Sequence, residues 1–330
     1  MAAMWLSIFM PFEHAKEFMK HCMNISVSET CLKETSYRIG AKIYNDTMKD
    51  GKRPEAIPRP SEITNRIYIQ ADGSMVPIRG KEEREFKEVK LGLVYTDADI
   101  VHKKTRKGEI RSEIKNKSFA SSIGEGVAPF KRMLFARAIE KGYYQASEVV
   151  LLSDGASWID NMKEEYFPKA VHVLDWYHVM DHLWQAAIDI FGETNREKCE
   201  TWLNPIKEKL WNGEVDNVIH DLEAEVFQRK KNQKSLHELR GYFVSNRHKM
   251  RYKEFRDKGF NIGSGAIESA HKYVVANRLK LAGMRWSLSH ANSMIWLRSL
   301  YFEDRWCEFW EKMSLPEYYA NPGDTHAEAA

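Results

Sequence analysis

The sequence of 330 residues lacks several features that would assign it to a specialised class of protein. Its four cysteines are scattered and form no Cys-x-x-Cys pair, which excludes a cysteine zinc site or disulfide framework and is typical of reduced cytoplasmic thiols. No apolar stretch approaches the roughly 20 residues that span a bilayer. The short apolar segment 1–12 has no basic residue and no small-residue cleavage site, so we do not interpret it as a signal peptide. Internal repeats and low-complexity tracts are also absent.

A strong charge of one sign is missing as well. The formal net charge is +3, with 29% charged and 43% hydrophobic residues, a composition that allows a sizeable core. The total charge therefore does not point to nucleic acid, and the distribution of charge along the chain has to decide.

Two short apolar runs, typical of strands buried on both faces, end in aspartate. Residues 149–152 precede Asp154-Gly155, and residues 170–174 precede Asp175. Residues 67–71 alternate in polarity and predict a strand that stops at Asp72-Gly73. Open α/β sheets bind ligands at the carboxyl ends of their strands, so Asp72 and Asp154 are candidate site residues. Taken alone, an Asp-Gly pair after a strand is more often ordinary turn chemistry.

The order of predicted elements is three strands, then helix, strand, helix, strand and helix, which indicates an α/β fold with a mixed sheet and helices on its faces. The second strand, 86–95, is expected to pair antiparallel with the first across a turn at Gly80. Residues 13–50 predict two helices, which are either part of a helix-turn-helix or a plain helical hairpin. We expect a helical segment and linker at 1–60, a core at 61–192, an all-helical insertion at 193–258, the rest of the core at 259–315 and a frayed tail at 316–330.

A third acid lies in the segment 261–287. Gly263-Ser264-Gly265 lets the backbone approach a ligand such as a phosphate at a helix N-terminus, and Glu268 follows at the start of a predicted helix. An ordinary ion pair between Glu268 and Lys272 is the alternative. Clustered carboxylates suit Mg²⁺, and two such ions about 4 Å apart can hold the attacking and leaving oxygens of a phosphoryl displacement.

Basic residues follow this acid and alternate with an aromatic ring. Arg278, Lys280 and Arg285 with Trp286 suit a DNA backbone and an unstacked base. The alternative is the solvated basic face of a helical protein.

Several of these segments together resemble a DDE transposase of bacterial insertion sequences, of the ISKra-type group with Mutator-like relatives. The segments are QADGSMVPI with FKEVKLG, SDGASWI with LDWYH, and IGSGAIESAHK with RLKLAGMRWS, in that order between residues 67 and 300. The resemblance implies an RNase H-like fold with a helical insertion before the third acid. It also implies cleavage and strand transfer of DNA at insertion-sequence ends and target DNA, with two Mg²⁺ ions for which Mn²⁺ can substitute.

The resemblance also assigns roles to single residues. Asp72, Asp154 and Glu268 would be the catalytic, metal-binding triad, and His178 of the D-x-x-H element would lie near the scissile phosphate. A histidine satisfied by a helical neighbour is the alternative for His178. The expected DNA-binding residues are Asp175, His178, Ser264, Lys272, Arg278, Lys280, Arg285 and Trp286. The protein is expected to act as a homodimer or larger assembly on DNA in the bacterial cytoplasm, at the nucleoid.

The N-terminal region departs from this family because it is short, and residues 13–50 match only the tail of a DNA-binding region. Two alternatives therefore stay open: an RNase H-like or resolvase-type nuclease without strand transfer, and a truncated DNA-binding remnant without catalysis. A phosphatase with an aspartate nucleophile fits less well, since no Asp-x-Asp pair follows the first strand.

Overall fold

The computed structural model describes residues 1–61, 64–80, 84–228 and 233–313, and the expected tail at 316–330 lies outside them. Seven strands form two sheets: β1 (Arg66–Arg79), β2 (Arg84–Thr96), β3 (Ile100–Lys104), β4 (Ile110–Ile114), β5 (Ser118–Ile123), β6 (Glu148–Ser153) and β7 (Val171–Leu174). Five of them form one sheet in the order β5-β2-β1-β6-β7, and β3 pairs with β4. β1, β2 and β5 are antiparallel neighbours, whereas β6 and β7 run parallel to β1. The predicted mixed sheet is thus confirmed.

Helices account for most of the remaining described chain. They are α1 (Ala2–Phe9), α2 (Phe12–Met23), α3 (Glu29–Lys52), α4 (Val127–Glu140), α5 (Ser157–Tyr166), α6 (Trp176–Phe191), α7 (Arg196–Trp211), α8 (Val215–Gln228), α9 (Gln233–Asn246), α10 (Tyr252–Asp257), α11 (Gly265–Ala270), α12 (Asn277–Leu279), α13 (Leu288–Phe302) and α14 (Trp306–Lys312). A π-helical segment, His271–Ala276, joins α11 to α12, and 3₁₀ turns occupy Pro54–Ala56, Asp97–Asp99 and Arg247–Lys249. No described helix is both long and apolar enough to cross a membrane.

The two faces of β1 pack against different layers. Ile67, Ile69 and Ala71 join residues of α4 and α5 in one apolar cluster. Tyr68 belongs to the other cluster, and the side-chain oxygen of Gln70 accepts a hydrogen bond from the backbone N–H of Ile267 at the start of α11 (3.0 Å). Because side chains alternate along a strand, Asp72 shares the face of Tyr68 and Gln70. The segment that begins with α11 therefore lies over the face that carries Asp72.

The prediction that β1 stops at Asp72-Gly73 is wrong. β1 continues to Arg79 because β2 pairs with it along its whole length, with Asp72 opposite Leu91 and Arg79 opposite Arg84. The antiparallel pairing of the two strands is confirmed. Gly73 therefore lies within the strand, opposite Lys90, and not in a turn.

The N-terminal helices share the core of the rest of the chain. Ser28 caps α3 by accepting a hydrogen bond from the N–H of Cys31 (3.0 Å), as its sequence context predicts. α3 packs against both α13 and α4. Leu32 and Ile39 of α3 are buried in the same cluster as Tyr68. Packing against the core is therefore the role that the structure gives α3.

α3 and α13 approach each other closely at Gly40. A methyl group added there would overlap the backbone carbonyl of Ser293 in α13. We expect Gly40→Ala to destabilise the protein by about 1–3 kcal/mol, because overpacking outweighs the helical preference for alanine. Denaturant unfolding followed by circular dichroism measures the difference.

Gly241 of α9 is the matched control for this substitution. It is also helical, but a methyl group there meets no atom within 4 Å. Gly241→Ala should stabilise the protein by roughly 0.5–1 kcal/mol. If both substitutions were stabilising, α3 would not pack on α13 in the way described.

Candidate active site

Three aspartates lie side by side at the carboxyl edge of the parallel strands. Gln70 of β1 pairs with Leu152 of β6, so continuing the register by two residues brings Asp72 beside Asp154. Ser153 of β6 pairs with Leu174 of β7, and one further residue brings Asp154 beside Asp175. Neighbouring strands are about 4.8 Å apart. Continued in this way, the sheet register places the three acids in a row, although Asp72 lies within β1 and not at its end.

The turn after β6 fixes Asp154 at this edge. Gly155 has a φ of 87°, which a residue with a side chain rarely adopts, and its Cα packs against Leu174. The Oδ1 atom of Asp154 accepts a hydrogen bond from the N–H of Ala156 at 2.9 Å. One carboxylate oxygen of Asp154 thus braces the turn, and Oδ2 makes no hydrogen bond to the described residues.

A buried polar network anchors the same strand end from behind. Ser153 Oγ lies 2.7 Å from His172 Nε2, and His172 Nδ1 lies 3.2 Å from Asp160 Oδ1. Lys249 Nζ donates to Asp160 Oδ1 at 2.5 Å and connects the strand to the helical segment after α9. The sequence of contacts has the composition of a serine hydrolase triad, but Ser153 is only 1% exposed. It therefore positions the Asp154 turn and has no access to a substrate.

Asp175 is a structural cap, and its expected contact with DNA is contradicted by its burial. Its side chain is 1% exposed. Oδ1 accepts a hydrogen bond from the N–H of His178 (2.6 Å) at the start of α6, and Oδ2 accepts one from the N–H of Ser264. Both carboxylate oxygens are thus occupied by backbone donors. Asp175 joins the start of α6 to the glycine loop, and Ser264, which is 8% exposed, serves the same junction and is not a surface contact either.

Glu268 lies on the same side of the sheet as Asp72. Its helix is held there by the bond from Ile267 to Gln70 and, one turn later, by His271, which approaches Asp72. The Glu268 side chain is exposed, and its Oε1 accepts a hydrogen bond from Ser264 Oγ at 3.1 Å. Among the described residues, no three Asp, Glu, His or Cys side chains are grouped closely enough to hold a metal ion. In the described conformation, Glu268 therefore does not form a metal site with Asp72 and Asp154.

The folded protein disfavours the ionised form of Asp72. Burial raises the pKa of Asp72 and the negative charge of Asp154 raises it further, whereas His271 opposes the shift. His271 Nε2 lies 3.7 Å from Asp72 Oδ2, and its Nδ1 lies 3.0 Å from Ser74 Oγ. Burial also lowers the pKa of His271, although Asp72 acts against it. His271 therefore offsets only part of the unfavourable free energy of the Asp72 charge.

His178 belongs to a chain of ring contacts beside Asp154. Its Nε2 lies 3.2 Å from Nε2 of His182, one turn further along α6, so the alternative of a histidine satisfied by a helical neighbour applies in part. The charge of His178 also acts on Asp72, which shows that the ring lies near the acids. The ring of His182 contacts Tyr242 of α9 with centroids 4.4 Å apart. The Tyr242 hydroxyl is buried without a partner among the described residues.

The basic segment divides into buried and exposed residues. Arg278 is 0% exposed, donates to the backbone carbonyl of Ser7 (3.1 Å), and lies over the rings of Phe12 and Trp286. Trp286 is 4% exposed. The expectation that these two contact DNA is therefore wrong: they join α12 to the N-terminal helices. The other predicted contacts, Lys272, Lys280 and Arg285, are exposed.

Sequence reasoning missed three side chains near the acids. His271 lies three residues after Glu268, on the same helical face, and this spacing was the available signal. His182 lies four residues after His178, so the same spacing applies. Tyr242 comes from a distant helix and carried no signal, because its position depends on how α9 folds back against α6.

Fold and site define a mixed α/β protein with an acidic row at the carboxyl edge of its parallel strands. The chain belongs to the family described as "Uncharacterised protein family (UPF0236)", whose model matches residues 11–311. It is similar to the "UPF0236 protein in vanSb 3'region" of Streptococcus gallolyticus, with 24% identity over 237 residues, 69% of this chain and 48% of that protein. The chain thus spans about half the length of this curated relative.

Because the folded protein disfavours the charge of Asp72, we predict how removing this charge changes the free energy of unfolding. A folded-state pKa above the unfolded value means that the ionised carboxylate destabilises the fold at neutral pH. Asp72→Asn should therefore stabilise the metal-free protein at pH 7 by roughly 0.5–2 kcal/mol, as expected when a strained functional site is relieved. The gain should disappear as the pH falls below about 3.9. Urea unfolding at several pH values measures it.

Asp160→Asn is the matched control, for which we expect the opposite change in stability. Burial alone would raise the pKa of Asp160, but His172 and Lys249 lower it to about 2. The ionised Asp160 therefore stabilises the fold above the unfolded pKa, and this contribution is lost as the pH falls through about 2. The control should be destabilised at pH 7. Equal signs for the two variants would contradict the charge distribution described here.

Proposed function

We propose that this protein is a DDE transposase that catalyses metal-dependent DNA strand cleavage and strand transfer at insertion-sequence ends. The observation that carries the proposal is the strand register that sets Asp72 beside Asp154, together with the helix of Glu268 laid over the same face. Three carboxylates on rigid elements, far apart in sequence, are what a two-metal phosphoryl transfer requires. The names of the family and of its curated relative state no activity, so the residues alone support this function.

The strand arrangement supports an RNase H-like fold for the proposed enzyme. An antiparallel meander, β1, β2 and β5, is extended on the β1 side by two parallel strands that each follow a helix. The first acid lies on the first strand and the second follows the strand beside it. Between β7 and the glutamate, the chain forms α6 to α10, which agrees with a helical insertion before the third acid.

The residues present fit divalent metal ions. Burial and the charge of the adjacent Asp154 raise the pKa of Asp72, and the three proposed ligands are all carboxylates, which Mg²⁺ and Mn²⁺ prefer. Asp72, Asp154 and Glu268 would hold the ions. When bound, two such ions would stabilise the charge on the attacking and leaving oxygens and favour ionisation of the attacking hydroxyl.

In the proposed enzyme, the remaining residues of the site orient the acids or bind the DNA. Ser264 holds Glu268 through its hydroxyl, and Asp175 holds Ser264, so the third acid is attached to the start of α6. The half-buried His178 would donate a hydrogen bond to a phosphate oxygen bound to the metal ions that the acids hold. His271 positions Asp72 from the opposite side. Exposed Lys272 and Lys280 of the same helical segment present positive charge to the DNA backbone.

Strand transfer is favoured over simple nuclease action because the helical segment reaches the site. Tyr242 of α9 and Asn246 lie beside the turn at Asp154, so the insertion forms one wall of the site. A nuclease that cuts a single phosphate does not need this wall. The proposed protein acts as a homodimer or larger assembly that joins two DNA ends, in the bacterial cytoplasm.

Metal-dependent cleavage tests the proposal directly. The substrate is a supercoiled plasmid that carries the gene with its flanking DNA, incubated with the protein and Mg²⁺ or Mn²⁺. Asp154→Asn and Glu268→Gln should each reduce nicking by roughly 100-fold or more, because each removes a ligand of the charge-stabilising centre. Glu268→Gln should leave the unfolding midpoint nearly unchanged, since the side chain is exposed.

The control for this experiment is Glu197→Gln, which removes an exposed carboxylate from α7. It should cleave like the wild type. Nicked product without joined product would favour the resolvase-type nuclease, and binding without any product would favour the non-catalytic remnant. Full activity of Asp154→Asn would remove the acid from the mechanism and end the proposal.

The basic segment contains both exposed and buried residues, and this difference gives a second test. Binding of an end-containing duplex is measured against salt concentration by fluorescence anisotropy. Lys272→Gln, Lys280→Gln and Arg285→Gln should each reduce the salt slope by about one, as expected for a phosphate contact.

Arg278→Met is the contrasting variant in the same segment. Arg278 is buried, so the variant should leave the salt slope unchanged and should lower the free energy of unfolding by roughly 1–3 kcal/mol, because the Ser7 carbonyl loses its charged donor. A reduced slope for Arg278→Met together with an unchanged slope for the three exposed residues would reverse the assignment.

A further inference from the structure

A cleft opens next to the row of acids, between the β3–β4 hairpin and the glycine loop at 259–266. It encloses about 780 Å³. Its floor is the sheet face of Tyr68 and Tyr95, whose rings stack with centroids 5.1 Å apart. Because Tyr68, Gln70 and Asp72 share one face of β1, the cleft and the acids lie in line along the same strand.

An aromatic ring stands at the border between the cleft and the site. Tyr177 precedes His178 in the first turn of α6 and lines the cleft, yet it is 65% exposed. A side chain at Gly263 would come within 3.1 Å of the Tyr177 ring, so the ring rests on the glycine backbone. One side of the ring is therefore held by the loop, and most of its surface is free to receive another ring. Held rings of this kind form the stacking surfaces of single-strand binding proteins.

The other wall of the cleft belongs to the segment that carries β3 and β4, in which Glu113 and Lys117 line the cleft. Residues 100–117 contain seven lysines and arginines against two glutamates, whereas the net charge of the whole chain is +3. Glu113 pairs with Lys103 and Lys115. Lys104, Arg106 and Lys107, at the tip of the hairpin, are exposed. These side chains at the tip lie outside the lining of the cleft, where they can contact the phosphates of a strand that leaves it.

We propose that this cleft binds a short unpaired stretch of DNA, with one base stacked on Tyr177 and the phosphates along the β3–β4 hairpin. The inference deepens the proposed function, on which it rests for the choice of DNA, because it adds a site for strand separation next to the acids. A paired base is already stacked on both sides and offers no ring face to Tyr177. The polar side chains of Asn261 and Ser112, which also line the cleft, can bond to base edges.

Binding without metal separates this inference from catalysis. Full-length protein in EDTA is titrated against a labelled oligo(dT) and against a single strand with one 2-aminopurine. Tyr177→Ala should weaken single-strand binding by roughly tenfold, as loss of one stacking contact does, and should abolish the change in 2-aminopurine fluorescence. Tyr177→Phe should keep both signals, because stacking needs the ring and not the hydroxyl.

The matched control is Tyr144→Ala, another exposed tyrosine, whose ring contacts Phe135 of α4, the helix on the other face of the sheet. It should bind as the wild type does. Lys104, Arg106 and Lys107 changed together to glutamine should lower the single-strand salt slope by about two.

Unchanged binding by Tyr177→Ala, or equal competition by a duplex of the same length, would overturn the inference. Tighter binding of an RNA strand of equal length would overturn the choice of DNA. These outcomes do not depend on cleavage, and Asp154→Asn should bind the single strand normally. Loss of plasmid nicking and loss of single-strand binding are therefore distinguishable results.

Discussion

The arrangement of this protein depends on the register between two parallel strands. β1 and β6 are far apart in sequence, and their pairing, continued by two residues into the turn after β6, sets Asp72 beside Asp154. Two carboxylates at this separation repel each other, and burial adds to the cost, as the raised pKa of Asp72 shows. A fold selected for stability alone would not keep them, so the register is a reason to look for a ligand that compensates their charge.

The rest of the molecule supports this edge from three sides. α11 and the π-helical segment after it lie over the Asp72 face and bring His271 to the carboxylate. Behind the edge, the Ser153–His172 contact is continued through Asp160 to Lys249, which joins the strand to the helical segment. Asp175 links α6 to the glycine loop through two backbone donors. Since each support comes from a different part of the chain, the site exists only in the complete fold.

The sequence predicted the parts of the site that follow from local pattern. Apolar runs that stop at Asp154 and Asp175 identified two strand ends, and the cap at Ser28 identified the start of α3. It failed where tertiary contacts decide. The extent of β1 depends on its pairing with β2 beyond Asp72, and no local pattern distinguishes a Gly that turns the chain from one that continues a strand. The position of Tyr242 depends on the packing of α9, for the same reason.

The prediction that Arg278 and Trp286 contact DNA failed for a different reason, which is more informative. A run of arginines beside a tryptophan has two physical uses: such residues can bind a polyanion, or they can bind one another. Arg278 and Trp286 do the second, because the guanidinium lies over the indole and donates to a backbone carbonyl. Their charge is then unavailable to DNA. Exposed positive charge is also found at the tip of the β3–β4 hairpin, on Lys104, Arg106 and Lys107. The hairpin borders the cleft that Tyr177 also lines, so a basic surface lies close to the acidic edge without any contribution from Arg278.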